Sequence, residues 1–235
     1  MSSLKILSGG AAQGLVKSLA PAFKAKTGLD IDGEFGAVGV MADKLRAGTP
    51  TDIIILTEAL VGALAKEQLV TPASIKNVGV VETALAVRAD DPKMSAPDQP
   101  GLRKAFLAAD AIYVPDTRAS TAGIHVAKVL TLLGIFGDVE GRLKIYPNGA
   151  TAMRHLAESP ARHPIGCTQA TEIISTPGVA LSGALPPGCE LATLYTAAIT
   201  VGAVRPREAQ ILIDLLTEAT HRELRRRAGF LEPAA

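Results

Sequence analysis

The stretch Leu4-Lys5-Ile6-Leu7-Ser8-Gly9-Gly10-Ala11-Ala12-Gln13-Gly14 decides how the rest of the chain is read. Leu4 to Leu7 has the composition of a strand and runs straight into a glycine pair. Leu15, Leu19, Ala22 and Phe23 then recur at helical spacing. A strand that turns through small residues into a helix aims unpaired backbone N–H groups at whatever sits above the turn. Gly9 and Gly10 carry no Cβ, so a ligand can come close to the main chain. The polar side chains within reach, Ser8 and Gln13, are both neutral, and Ala11 is small. Such a cradle works through amide dipoles and suits an anion. The same pattern also fits a plain βα turn, so the remaining segments have to discriminate.

Moving outward, Lys26-Thr27-Gly28 stops the first helix with glycine at the expected place. Residues 29–35 read as a second strand, and Gly36-Ala37-Val38-Gly39-Val40 is a second run of small residues opening a second helix. After the turn Thr49-Pro50-Thr51-Asp52, the unbroken apolar run Ile53-Ile54-Ile55-Leu56 has the character of a strand buried on both faces. Thr57 is placed to cap the helix after it. The pattern to this point is β-α-β-α-β-α, the start of a doubly wound sheet. Residues 77–87 then form one long apolar strand, and the prolines and acidic residues of 90–101 read as the loop into a second lobe. A second β/α series follows, with loops at Pro115-Asp116-Thr117-Arg118-Ala119-Ser120-Thr121-Ala122-Gly123 and at Pro147-Asn148-Gly149-Ala150. A short strand, 164–168, then leads into Gln169-Ala170-Thr171-Glu172. A second long apolar stretch, 189–201, returns to the first lobe, and Pro206 opens the closing helix. The expected fold class is therefore α/β with two lobes, each a mixed sheet flanked by helices. Residues 1–84 and 191–235 form the first lobe, and 85–190 the inserted one.

Composition narrows the function. Of 235 residues, 3% are aromatic and none is Trp, and the formal net charge is +1. Stacking platforms and basic nucleic-acid surfaces are thereby disfavoured. Arg222, Arg225, Arg226 and Arg227 read as a solvated face near a helix C-terminus. Cys167 and Cys189 are too few and too far apart for a zinc site or a thiol redox motif; whether they pair is open. No metal-ligand cluster or nucleotide motif appears, so neither a metal nor a cofactor is expected. No run is long and apolar enough to span a bilayer. Met1-Ser2-Ser3 leads directly into the first strand, which as written implies a cytoplasmic protein, or a periplasmic one if the sequence is a trimmed mature form.

Five segments together resemble a known family: 6–11, 35–39, 44–53 (Lys44-Leu45-Arg46-Ala47-Gly48-Thr49-Pro50-Thr51-Asp52-Ile53), Thr121-Ala122-Gly123-Ile124 and Pro164-Ile165-Gly166. In order and spacing they are similar to the type II periplasmic binding proteins of the molybdate-binding kind, to which aconitate isomerase is also similar. The resemblance implies a two-lobed fold with an anion in the cleft, held by backbone amides, two serines and a tyrosine. The serine positions fall on Ala11 and Val38, the amide positions on Ala122 and about Ala150, and the tyrosine position on Gln169. All three side-chain ligands are thus replaced, which points to an organic acid in preference to molybdate.

The expected ligand-binding set is Ser8, Gly9, Gly10, Ala11, Gln13, Ala37, Val38, Arg118, Ser120, Thr121, Ala122, Ala150 and Gln169. Arg118 is the candidate clamp for a carboxylate, with a solvated loop arginine as its plain alternative. The resemblance implies a membrane permease of the ABC-transporter type as partner if the protein is exported. The alternative function is a cofactor-independent isomerase of an unsaturated polycarboxylate. That chemistry needs a group to remove a proton and a group to return it. Glu34, His125, His155 and Glu172 are the candidates.

Overall fold

The computed structural model describes residues 3–232. In chain order the elements are β1 (Ser3–Gly9), α1 (Gln13–Thr27), β2 (Asp30–Gly36), α2 (Val38–Arg46), β3 (Ile53–Thr57), α3 (Glu58–Lys66), β4 (Lys76–Arg88), α4 (Gln99–Ala108), β5 (Ala111–Pro115), α5 (Thr121–Leu132) and α6 (Phe136–Val139). They continue with β6 (Leu143–Tyr146), α7 (Gly149–Ala157), β7 (Pro164–Gln169), α8 (Ala170–Ile174), β8 (Val179–Ala184), β9 (Ala192–Ile199), α9 (Pro206–Thr217) and α10 (Arg222–Arg227). The chain is mixed α/β and divides into two compact units. One runs through Val81 and resumes at Thr193; the other is Glu82–Ala192. The sequence reading set these divisions at 84/85 and 190/191.

In the first unit, β2 and β3 lie parallel on either side of β1, and β9 runs antiparallel against β3. The fully buried Ile53, Ile54, Ile55 and Leu56 explain the unbroken apolar run of β3, which has no solvent face. Leu15, Leu19 and Phe23 form the buried stripe of α1, which ends at Gly28 with φ 73°. Asp52 ties the strand edges together. Its carboxylate accepts from the backbone N–H of Lys5 (2.9 Å), Val204 (2.9 Å) and Arg205 (3.0 Å). This is the structural work of the Thr49-Pro50-Thr51-Asp52 turn.

In the second unit, β7 is antiparallel to β4, while β7 and β6 lie parallel on either side of β5; β8 is antiparallel to β4. Strand period divides its core into two layers. Leu85, Ile112 and Val114 face a cluster with Leu102, Phe106, Val126 and Leu130. Ala84, Ala86, Ala111 and Tyr113 face the other way, onto Ala152, Met153 and Leu156. Helices α4 and α5 thus cover one face and α7 the other. Cys167 and Cys189 are both buried free thiols of the first layer.

Three local expectations change. The stretch around Pro97 to Gly101 is a helix start, not a continuous loop. Asp98 caps α4 by accepting from Gly101 N–H at 2.7 Å, and Pro100 stands in the first turn, where its missing N–H costs nothing. Strand β8 gave no sequence signal because it is a half-buried edge containing Ser182 and Gly183. Arg225 is buried rather than solvated. Its guanidinium donates to the carbonyls of Leu216 (3.3 Å) and Glu218 (2.8 Å) at the end of α9.

Candidate functional site

Ligand sites of α/β sheets gather where helices start beyond the carboxyl ends of the strands, because unpaired helix N–H groups and the positive end of the dipole meet there. In the first unit β1 and β2 are parallel, so the starts of α1 and α2 share one sheet edge. This places Ser8, Gly9, Gly10, Ala11 and Gln13 beside Ala37 and Val38. A Cβ on Gly9 would stand 2.7 Å from Val38 Cγ1 and 3.0 Å from Tyr195 Cε1, so the loop backbone is packed directly under Val38. Ser8 is fully buried and its hydroxyl donates to the Gly9 carbonyl at 2.9 Å. It shapes the loop and presents no free hydroxyl proton.

Capping sets two groups of helices apart from the rest, since α6, α8, α9 and α10 lack a side-chain cap but carry an acidic residue in the first turn. Helices α3, α4 and α7 are closed by side chains: Thr57 accepts from Leu60 N–H, Asp98 from Gly101 N–H and Asn148 from Thr151 N–H. Helices α1, α2 and α5 have neither a side-chain cap nor an acidic residue in the first turn. Ser120 stands at the N-cap of α5 with suitable extended geometry, yet makes no capping bond. The start of α5 is set by its own loop. Asp116 accepts from the N–H groups of Arg118 (2.7 Å) and Ala119 (2.9 Å), and Ser120 N–H donates to the Asp116 carbonyl. Gly123 is required there, because a Cβ would lie 2.1 Å from the Asp116 carbonyl oxygen. Ala122 is buried in this first turn, with Thr121 half-buried beside it. The Arg118 side chain is exposed and forms no ion pair among the described residues.

Ala150 and Gln169 are also in the second unit, and both converge on Glu172. This carboxyl is 4% exposed. Burial pushes its pKa up, while hydrogen bonds from Thr168 and from the backbone of Ala150, Gly149 and Gln169 pull the other way. Thr168 Oγ1 donates to it at 2.6 Å. The Ala150 amide, an expected ligand group, is thus engaged by a carboxyl of the chain itself. Sequence reasoning named Glu172 but not these partners, because Gly149 and Ala150 lie on a different loop. The other polar atoms around β7 are left over. Thr83 Oγ1, Thr171 Oγ1 and both polar atoms of the Gln169 side chain are buried without a partner within the chain, as is Thr193 Oγ1 in the first unit.

The remaining acid/base candidates are each engaged. His125 Nε2 lies 2.8 Å from the Cys189 carbonyl oxygen. His155 stacks on Tyr146 at 4.3 Å between ring centroids. Glu34 pairs with Lys44 and lines a separate groove of about 190 Å³ with Lys5, Leu7 and Asp32. Among the described residues no group of three or more His, Cys, Asp or Glu is placed to hold a metal ion. No single described helix is long and apolar enough to cross a membrane.

The profile described as bacterial extracellular solute-binding protein matches residues 4–231. Aconitate isomerase from Pseudomonas sp. is 24% identical over 227 residues, covering 92% of this chain and 82% of that protein. The fold is that of the periplasmic molybdate-binding protein of Azotobacter vinelandii, with a TM-score of 0.81 at 18% identity over 99% of this chain and 100% of that one. The sulfate-binding protein of Mycobacterium tuberculosis superposes with a TM-score of 0.75 at 17% identity, over 98% and 86% of the two chains.

Proposed function

The chain belongs to the bacterial extracellular solute-binding protein family, and on that footing we propose that it binds a small organic anion at uncapped helix starts. The observation that carries this reading is selective capping. The fold closes α3, α4 and α7 with side chains and leaves the N-termini of α1 and α2 in the first unit, and of α5 in the second, without cap or first-turn carboxylate. Each open start offers N–H donors and a partial positive charge to an anion. The sulfate- and molybdate-binding names of the two structural neighbours agree with anion capture. Residues 11 and 38 are alanine and valine here, so the first unit supplies amides and apolar contact where a hydroxyl would favour an inorganic oxyanion. Delivery of the bound anion to a permease follows from the family reading.

The test uses the cap itself. Ala37 has the extended dihedrals of an N-cap, φ −62° and ψ 132°. Ala37→Asp should cap α2 and raise the stability of the ligand-free protein by about 0.5–1 kcal/mol, while weakening anion binding more than about tenfold by occupying the same amides. Calorimetric titration with di- and tricarboxylates, molybdate and sulfate measures the second effect. A stabilised Ala37→Asp protein that binds its anion as well as wild type would remove α2 from the site.

A second reading, an isomerase of an unsaturated polycarboxylate, is favoured by the aconitate isomerase likeness over 92% of the chain. Its best-placed proton-holding group is Glu172, whose pKa is raised by burial. Incubation with trans-aconitate in deuterium oxide, followed by proton NMR, tests it. Loss of the methylene signal by exchange supports catalysis, and full retention over days at stoichiometric protein rejects it for that acid.

A further inference from the structure

The strand β7 ends at Gln169, which is also the N-cap of α8, and Thr171 follows in the first turn. Across the antiparallel ladder, Gln169 is the direct partner of Thr83. Directly opposed residues project to the same face of a sheet with Cβ atoms about 5 Å apart. All three side chains are almost fully buried, at 3% exposure for Gln169, 1% for Thr83 and 3% for Thr171. Their hydroxyls and the whole Gln169 carboxamide have no hydrogen-bond partner within the chain. Folds rarely bury such groups unless something satisfies them. Glu172, three residues beyond Gln169, shows the contrast. Its carboxyl takes the Thr168 hydroxyl and the N–H groups of Gly149, Ala150 and Gln169. The chain satisfies its one buried acid here and leaves the neutral polar groups open.

The chemistry of the open set is specific. A carboxamide presents two N–H donors and an acceptor, and each threonine hydroxyl both donates and accepts. A fully deprotonated inorganic oxyanion only accepts, so it would leave Gln169 Oε1 unpaired. The amides at the start of α7, which would attract such an anion, already face Glu172. A hydroxyl group satisfies Gln169 in both directions. From this juxtaposition we infer that Gln169, Thr83 and Thr171 form a neutral subsite for the hydroxyl of a hydroxycarboxylic acid, whose carboxylate goes to the open start of α5 in the same unit. The inference rests on the organic-anion reading above and adds a ligand class to it.

The experiment is calorimetric titration of the purified protein with two matched pairs, malate against succinate and citrate against propane-1,2,3-tricarboxylate, with molybdate and sulfate alongside. The hydroxy member of at least one pair should bind about tenfold or more tightly, because its partner leaves buried groups unpaired. Gln169→Leu should bring that ratio near one. The ligand-free thermal midpoint of this variant should be no lower than that of wild type, since the change removes unpaired buried polar atoms. If Gln169→Leu does not fold, Thr83→Val and Thr171→Val carry the same comparison. Equal affinities within both pairs in wild type overturn the subsite and leave the anion reading standing. So does molybdate or sulfate binding more tightly than every acid. A ratio that survives Gln169→Leu overturns the assignment to this residue. Failure of every acid and both oxyanions to bind overturns the inference together with the reading beneath it.

Discussion

Glu172 shapes the second unit's local architecture through contacts made to a different loop. The Glu172 carboxyl sits against Gly149 so closely that a Cβ there would lie 1.9 Å from Glu172 Oε2. Glycine at 149 is therefore what lets the acid reach the start of α7. Burial raises the pKa of Glu172, so the folded state holds its proton more tightly than the unfolded chain does. The stability it confers is present at pH below the ordinary carboxylate pKa of about 4.3 and is lost as pH rises through the raised folded value. Wild type should lose stability relative to Glu172→Gln as pH rises above the ordinary carboxylate range, by at most about 1.4 kcal/mol per pH unit, until the raised folded value is passed. Urea unfolding at a series of pH values checks this, and parallel stability curves for the two proteins would contradict it.

Among the elements, the strand edges of the first unit depend on one residue. Asp52 is 1% exposed and accepts three backbone N–H groups, from the start of β1 and from the two residues preceding α9. Asp52→Ala removes all three acceptor contacts at once and leaves the donors unpaired. A loss of about 3–5 kcal/mol is expected, read as a lower urea midpoint with unchanged m-value. A loss under about 1 kcal/mol would mean that water satisfies those donors. The Thr49-Pro50-Thr51-Asp52 turn was conspicuous in the sequence, but its purpose was not, since Val204 lies 152 residues further on. Helix α4 shows the opposite case. Its Asp-x-Pro-Gly start was fully written in the sequence, and the proline and glycine, read as breakers, occupy the first turn, where both are tolerated.

For the molecule as a whole, two compact units with separate apolar clusters imply two partly independent stabilities. Phe106 is fully buried in the second unit and Phe23 in the first. Phe106→Ala should cost about 3–5 kcal/mol and should lower native-state hydrogen-exchange protection in β5 and β7 more than in β1 and β3. Phe23→Ala should do the reverse. Equal loss of protection in both units from either substitution would make the chain a single cooperative body.

What the sequence determined by itself was local in origin. The apolar run of β3, the glycine stop at Gly28, the Thr57 cap and the small-residue turns after β1 and β2 all follow from residues adjacent in the chain. So does the α/β class built from them. The long apolar stretches at 77–87 and 189–201 further suggested that the middle of the chain is an insertion. Tertiary structure decided the rest, because it depended on partners distant in sequence. Whether Ser120 caps its helix, whether Arg225 faces water or α9, and which buried polar groups find partners are not properties of a segment. Neither is the engagement of Ala150 by Glu172. Secondary structure is set mainly by near neighbours and periodicity, whereas a binding site is set by which donors remain unpaired after every long-range contact has formed.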